Sequence, residues 1–236
     1  MIIASDLEGT LTTGRTWQAL ADYLAKHGDK YGGAWRYRRN FWWRYPIIAA
    51  TKVPPVGKRV DVPALQRQWM IDLLALFAGA HETDFADIAT WVVEHHLWPK
   101  RREDVLEHLA SYGGKVGGKV GGKVIVASGA YQPVVQAFAD RLGAEAIGTP
   151  LEVVAKEGQP TLTGKTSGNI NTAQVKRQRL EHYLQGQPLD VALGDTGEDI
   201  PMLTLSQHPL AVYPDKILAA HAATHQWQVW PRAASY

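Results

Sequence analysis

The spacing of apolar residues changes several times along the chain, and each change predicts an element. Ile2-Ile3-Ala4 is an unbroken apolar run that stops at Ser5-Asp6, as expected of a short strand buried on both faces. From Thr16 to Leu24 the apolar positions fall at 17, 20, 21 and 24, a helical period. Helical patterns continue over Leu65–Phe77 and Phe85–Leu97, with an irregular stretch holding Pro54-Pro55 before them. No strand pattern stands out between about 14 and 103. Glu103–Tyr112 then predicts a helix, Val124–Ala127 a buried strand, and Pro133, well placed in a first turn, a helix to about Leu142. Ala144–Ile147 is a short strand, and 150–164 a hairpin or paired short strands. Asn171–Leu184 is a helix capped by Asn171 or Thr172. Strands at Leu189–Leu193, Leu210–Tyr213 and Trp227–Trp230 alternate with helices starting at Pro201 and Lys216.

This alternation predicts an α/β fold with a Rossmann-like, doubly wound parallel sheet, built from residues 1–13 and 104–236. Residues 14–103 interrupt it as an inserted all-helical cap domain. The chain has 236 residues, room for such a core and its insertion. It has no cysteine, which excludes a disulfide framework and a thiolate metal site. There is no apolar run of about 18 residues and no basic leader before the first strand, so a cytoplasmic protein is expected. The net charge of +2 implies nothing about partners.

Residues 113–124 repeat Gly-Gly-Lys-Val three times. This glycine-rich stretch enters a strand, whereas phosphate loops leave one, so it reads as a loop expansion. Gly164-Lys165-Thr166 resembles part of a Walker A loop, but position 159 is Gln where that loop needs Gly.

The chemistry concentrates at strand ends. Asp6-Leu7-Glu8-Gly9-Thr10 places two carboxylates where the first strand opens into a turn. Gly194-Asp195-Thr196-Gly197-Glu198-Asp199 does the same after a later strand. Two such clusters suggest a shared divalent cation with oxygen ligands. Ser128-Gly129 ends another strand just before a helix, a favourable place for an anion. Lys176 lies on the helix preceding the second acid cluster, with Lys165 as the alternative cation. An aspartyl-phosphate mechanism needs these parts: a carboxylate nucleophile, a second acid, a hard cation, and cationic or hydroxyl donors for phosphoryl oxygens.

In order, these segments resemble the four motifs of the haloacid dehalogenase-like superfamily: Asp6–Thr12, Val126–Gly129, Lys176 and Gly194–Leu203. The helical insertion is similar to the cap of the phosphoserine phosphatase-like branch. The resemblance implies a Mg2+-dependent phosphatase acting on a phosphate monoester. Asp6 would be the nucleophile and Glu8 the general acid and base, with Ser128, Gly129 and Lys176 on the phosphate. Asp6, the Glu8 carbonyl and Asp195 would hold Mg2+, with Asp199 as a direct or supporting ligand. Glu8 stands where Asp is commoner. Arg15 stands nine positions after the nucleophile, where phosphoserine phosphatases carry a glutamate for the substrate amine. A cation there repels an ammonium group, so Arg15 is a candidate substrate residue for an anionic or neutral leaving group.

Residues 30–60 hold eight lysines and arginines and no acid, interleaved with Trp35, Tyr37, Phe41, Trp42, Trp43 and Tyr45. Aromatic packing under a solvated basic face is the plain reading. A lid on an anionic substrate and peripheral contact with an anionic membrane are the functional ones. Nucleic acid is disfavoured by the near-neutral chain. The partner expected is thus a small phosphorylated substrate. A phosphotransferase using the same site, or a membrane- or lipid-docking protein using 30–60, are the alternatives. Nothing in the pattern specifies an oligomeric state.

Overall fold

The computed structural model describes residues 1–27, 62–112 and 122–231. The basic aromatic segment and most of the Gly-Gly-Lys-Val repeat lie outside the described residues. By contacts the chain divides into two compact units. One comprises Met1–Thr16, Ala89–Pro150 and Asn169–Tyr236, the other Trp17–Ile88 and Leu151–Gly168.

The first unit is built on a parallel sheet. Its strands are β1 (Ile2–Ser5), β2 (Lys123–Tyr131), β3 (Glu145–Thr149), β6 (Leu189–Gly194), β7 (Ser206–Val212) and β8 (Gln228–Trp230), in the order β3-β2-β1-β6-β7-β8. Every pairing is parallel. The chain winds outward from β1 to β3 on one side, then from β6 to β8 on the other. The order therefore reverses at β1, where open α/β sheets place their ligands, beyond the strand carboxyl ends. Ile3, Ala4 and Ser5 are all fully buried, which explains the unbroken run that predicted β1.

Helices cover this sheet. The helix α4 (Glu103–Ser111) precedes β2, and α5 (Gln132–Leu142) packs along β2 and β3. It begins with Pro133 in its first turn and runs to Leu142, as the sequence predicts, and Gly143 closes it in the left-handed conformation. The helices α6 (Ala173–Leu184), α7 (Ile200–Leu203) and α8 (Lys216–His225) share a buried apolar cluster with the strands, including Ala4, Ile125, Leu180, Ala192, Met202 and Leu218. The segment before α4 adds a π turn over Val93–Leu97 and a short 3-10 turn over Trp98–Lys100.

The second unit holds most of α1 (Thr16–His27), then α2 (Val62–Leu74), a 3-10 turn at Ala75–Phe77, and α3 (Glu82–Val92) up to Ile88. It also contains the antiparallel hairpin β4 (Leu151–Lys156) and β5 (Gln159–Thr166). Trp17 and Trp69 approach to 4.4 Å, and Phe77 meets Phe85 edge-on at 5.1 Å. The hairpin is predicted correctly as an element, but it does not group with the sheet as expected. The Gly79 amide donates to the Leu162 carbonyl (2.8 Å), and the Leu162 amide to the Ala80 carbonyl (2.9 Å). These bonds give β5 a partner on the helical side, and buried Leu162 completes the attachment. Among the described residues the insertion forms only helices, and by contacts the hairpin joins them in the second unit while Ala89–Arg102 groups with the sheet. Among the described residues no helix is long and apolar enough to cross a membrane.

Phe138 is fully buried on α5, with Trp98 5.4 Å from its ring. Phe138→Ala should cost about 3–5 kcal/mol of stability, measured by denaturant unfolding, because the vacated volume cannot fully collapse.

Candidate active site

Three adjacent strands deliver the candidate residues. Asp6 follows β1 directly, and its amide donates to the Leu193 carbonyl of β6 (2.9 Å). Asp195 follows β6. Ser128 lies in β2 beyond its pairing with β1, which ends at Ser5↔Val126. The β2–β3 register slips between Ala127 and Tyr131, so Ser128-Gly129-Ala130 leaves the regular ladder. Ser128 is buried, and its Oγ accepts from the Ala130 amide (3.3 Å).

Lys176 comes from the first turns of α6 and is 4 % exposed. Its Nζ donates to Asp6 Oδ1 and to Asp199 Oδ1, both at 2.7 Å. Asp199 Oδ2 accepts from the Asp195 and Thr196 amides (3.2 and 3.1 Å) and from Thr196 Oγ1 (3.1 Å). Both oxygens of Asp199 are therefore engaged in holding Lys176 and the Asp195 loop. Asp195 Oδ1 accepts from Thr10 Oγ1 (3.1 Å). Gly9 has φ +111°, and a Cβ there would overlap the Asp195 carboxylate, so this contact requires glycine.

Glu8 and Arg15 sit beside this cluster. Glu8 Oε1 accepts from the Thr16 amide (2.7 Å) at the start of α1. Arg15 Nη1 donates to the Glu8 carbonyl (2.8 Å) and lies 4.0 Å from Glu8 Oε2. Lys165, the alternative cation, belongs to the hairpin of the other unit.

Carboxylate oxygens of Asp6, Asp195 and Asp199 lie within 4.8 Å of one another, and all three residues are buried. Against their three negative charges stands one buried ammonium, Lys176. The imbalance shows in their acidities. Burial, with repulsion from Asp199 and Asp195, pushes Asp6 up to about 8 despite Lys176. Burial and Asp199 push Asp195 up to about 6, against the pull of Arg15, Thr10 and Lys176. Lys176 is held above its usual value by Asp199 and Asp6, although burial opposes its charge. Two surplus negative charges on hard oxygen donors fit a small divalent cation. Among the described residues neither Asp6 Oδ2 nor Asp195 Oδ2 accepts a hydrogen bond from the protein, which leaves one oxygen on each for such an ion.

Several supporting residues carry no local sequence signal. Asn171, a candidate cap, is instead fully buried, and Nδ2 donates to the carbonyls of Ser128 (3.0 Å) and Ile147 (2.8 Å). The cap position belongs to Thr172, whose side chain makes no capping bond. Thr149 Oγ1 donates to the Gly129 carbonyl (2.7 Å) and accepts from the Asn171 amide (3.0 Å). These bonds span distant parts of the chain, so no motif spacing announces them.

With a chelator present, the folded chain holds protons on Asp6 and Asp195 that the unfolded chain releases near pH 4. Their contribution to stability is therefore complete below that pH and falls as pH rises, for Asp195 up to about 6 and for Asp6 up to about 8. Denaturant unfolding between pH 4 and pH 8 should show a flatter profile for Asp195→Asn than for the wild type.

A family model described as haloacid dehalogenase-like hydrolase matches residues 3–204. No curated protein matches the chain in sequence. A solved structure of a protein with unknown function from Bordetella pertussis Tohama I is 20% identical, with TM-score 0.67, covering 97% of this chain and 96% of that one. A HAD family hydrolase from Salmonella enterica subsp. enterica serovar Typhi is 16% identical, with TM-score 0.59, covering 93% of this chain and 64% of that one. A phosphoserine phosphatase in its apo form is 16% identical, with TM-score 0.54, covering 97% and 91%. These structures share the fold, and the family match spans the strand-end acids from Asp6 to Asp199: the chain belongs to the haloacid dehalogenase-like hydrolases.

Proposed function

We propose that this chain is a Mg2+-dependent phosphatase that hydrolyses a phosphate monoester through a phosphorylated Asp6. The observation that carries this reading is Lys176 shared between Asp6 and Asp199 inside a cluster with surplus negative charge. Asp6 attacks phosphorus, forming the aspartyl phosphate as the bond to the leaving oxygen breaks. Glu8 gives its proton to that oxygen, then takes one from the water that hydrolyses the intermediate. Lys176, Ser128 and Gly129 bind the phosphoryl oxygens. Asp199 keeps Lys176 charged and aimed, while its other oxygen shapes the loop carrying Asp195. Asp6 and Asp195, with the Glu8 carbonyl, would hold Mg2+, which when bound screens the anionic nucleophile from the anionic phosphate. Asp199 supports that site rather than ligating it, since both its oxygens are engaged.

Arg15 helps choose the substrate. It lies beside Glu8 and pulls the pKa of Asp195 down against the effect of burial, so its positive field reaches the site. That field opposes an ammonium-bearing leaving group, which separates this chain from the phosphoserine phosphatase whose fold it shares. The unit holding Trp17–Ile88 is assigned the rest of substrate choice, the role that a cap insertion plays in this family.

A panel of phosphate monoesters with Mg2+ should reveal release of inorganic phosphate, and Asp6→Asn should lower kcat by at least about 1,000-fold. Appreciable turnover by that variant would refute the mechanism. Mg2+ should raise the melting temperature more at pH 8 than at pH 5.5, because binding requires the ionised carboxylates. Asp195→Asn should abolish that shift.

A further inference from the structure

The loop bearing Asp6 and Glu8 is held from outside by a residue that the four motifs do not include. Arg102 stands immediately before α4, 93 positions from Gly9 in the chain. Its Nε donates to the Gly9 carbonyl (3.0 Å), and its amide donates to the Leu11 carbonyl (2.8 Å). The segment around it clasps the same loop. The Thr13 amide donates to the Lys100 carbonyl (3.0 Å), and Thr12 Oγ1 to the Leu97 carbonyl (2.7 Å).

The guanidinium is itself fixed. It lies over the Tyr213 ring, 3.8 Å from the centroid, a contact suited to a planar cation. Tyr213 ends the run after β7 with φ +45°, a left-handed conformation that a bulky residue rarely adopts. Two bonds hold it there: its amide donates to the Trp230 carbonyl (2.7 Å), and its hydroxyl donates to Asp104 Oδ2 (2.9 Å). Trp230 Nε1 donates to the same oxygen (2.9 Å). His108, also on α4, stacks on the Trp230 ring at 4.3 Å. Farther along the same loop, the Asp215 amide donates to the Asp195 carbonyl (2.8 Å). A continuous strut thus runs from the ends of β7 and β8 through Asp104, Tyr213 and Arg102 to Gly9.

We propose that Arg102 is a positioning residue of this site: pinned against Tyr213, it fixes the Gly9 carbonyl and so the backbone that aims Asp6 and Glu8. Its partner atom makes this consequential. Gly9 is the residue whose close approach to Asp195 leaves no room for a Cβ, so a shift of that peptide moves the loop against Asp195. Arg102 touches neither substrate nor phosphate in this scheme. It acts by denying the loop alternative conformations, which matters because small misplacements of reacting groups cost large factors in rate. The inference rests on the phosphatase reading for its effect on turnover, but not for its effect on the loop.

The test combines backbone hydrogen exchange over residues 9–12 with steady-state kinetics on the best phosphate monoester, using the whole 236-residue chain. Arg102→Met should speed exchange of the Leu11 and Thr12 amides by about 10-fold. It should also lower kcat by about 10- to 100-fold with KM little changed. Tyr213→Leu should give the same pattern more weakly, and Arg102→Lys, which keeps a donor and a charge, should recover part of the loss. Arg177→Gln, a surface change on α6, should match the wild type in both measurements. Wild-type exchange in Arg102→Met overturns the strut, and faster exchange with unchanged kcat overturns the positioning role. If Arg102→Met does not fold, Tyr213→Leu and Arg102→Lys decide by the same two readouts. Absence of turnover in the wild-type chain overturns the phosphatase reading instead, and exchange in the variants still decides whether Arg102 holds the loop.

Discussion

A lysine buried between two aspartates governs the arrangement of everything around it. Lys176 is charged, almost inaccessible, and bonded at 2.7 Å to both Asp6 and Asp199. A buried charge is costly unless it is paired and hydrogen-bonded, so each partner constrains the others. Three elements must converge for the pairing to exist: the end of β1, the first turns of α6, and the turn after β6. The parallel sheet brings them together because β1 and β6 are neighbours that both finish at the same edge.

The pairing leaves the site electrostatically incomplete. One ammonium does not balance Asp6, Asp195 and Asp199, and burial magnifies the imbalance by removing water. In many proteins such a surplus would be a defect. Here the groups that create it are held rigidly by Thr10, Thr196 and the backbone of the Asp195 loop. A surplus of charge held in a fixed geometry suits the cation and the phosphate proposed for this site. The glycine at position 9 belongs to the same logic, since any side chain there would occupy the space of the Asp195 carboxylate.

Beyond these side chains lies a layer of support that ties loops to one another. Asn171 and Thr149 brace the Ser128–Gly129 turn, and Arg102 with Tyr213 braces Gly9. Each bond joins distant parts of the chain: Thr149 and Tyr213 come from the ends of β3 and β7, Asn171 and Arg102 from the segments before α6 and α4. The support therefore depends on the sheet order, in which the strands that carry chemistry sit at the centre and those carrying braces flank them.

Local pattern determined much of this protein by itself. The apolar run before Asp6, the alternation of strand and helix after residue 103, and the order of the strand-end motifs are properties of short segments. Burial on a parallel sheet imposes them directly, so the fold class was legible, as was the convergence of Asp6, Lys176 and Asp195. Tertiary structure alone decided which unit receives the hairpin Leu151–Lys156 and Gln159–Thr166. Its attachment rests on backbone bonds to Gly79 and Ala80, and backbone groups are the same in every sequence. Tertiary structure also decided that Asn171 clamps a turn instead of capping a helix, and that Arg102 reaches Gly9. Those contacts form between residues far apart in the chain, so the physical reason for each residue appears only when folding has brought its partner alongside.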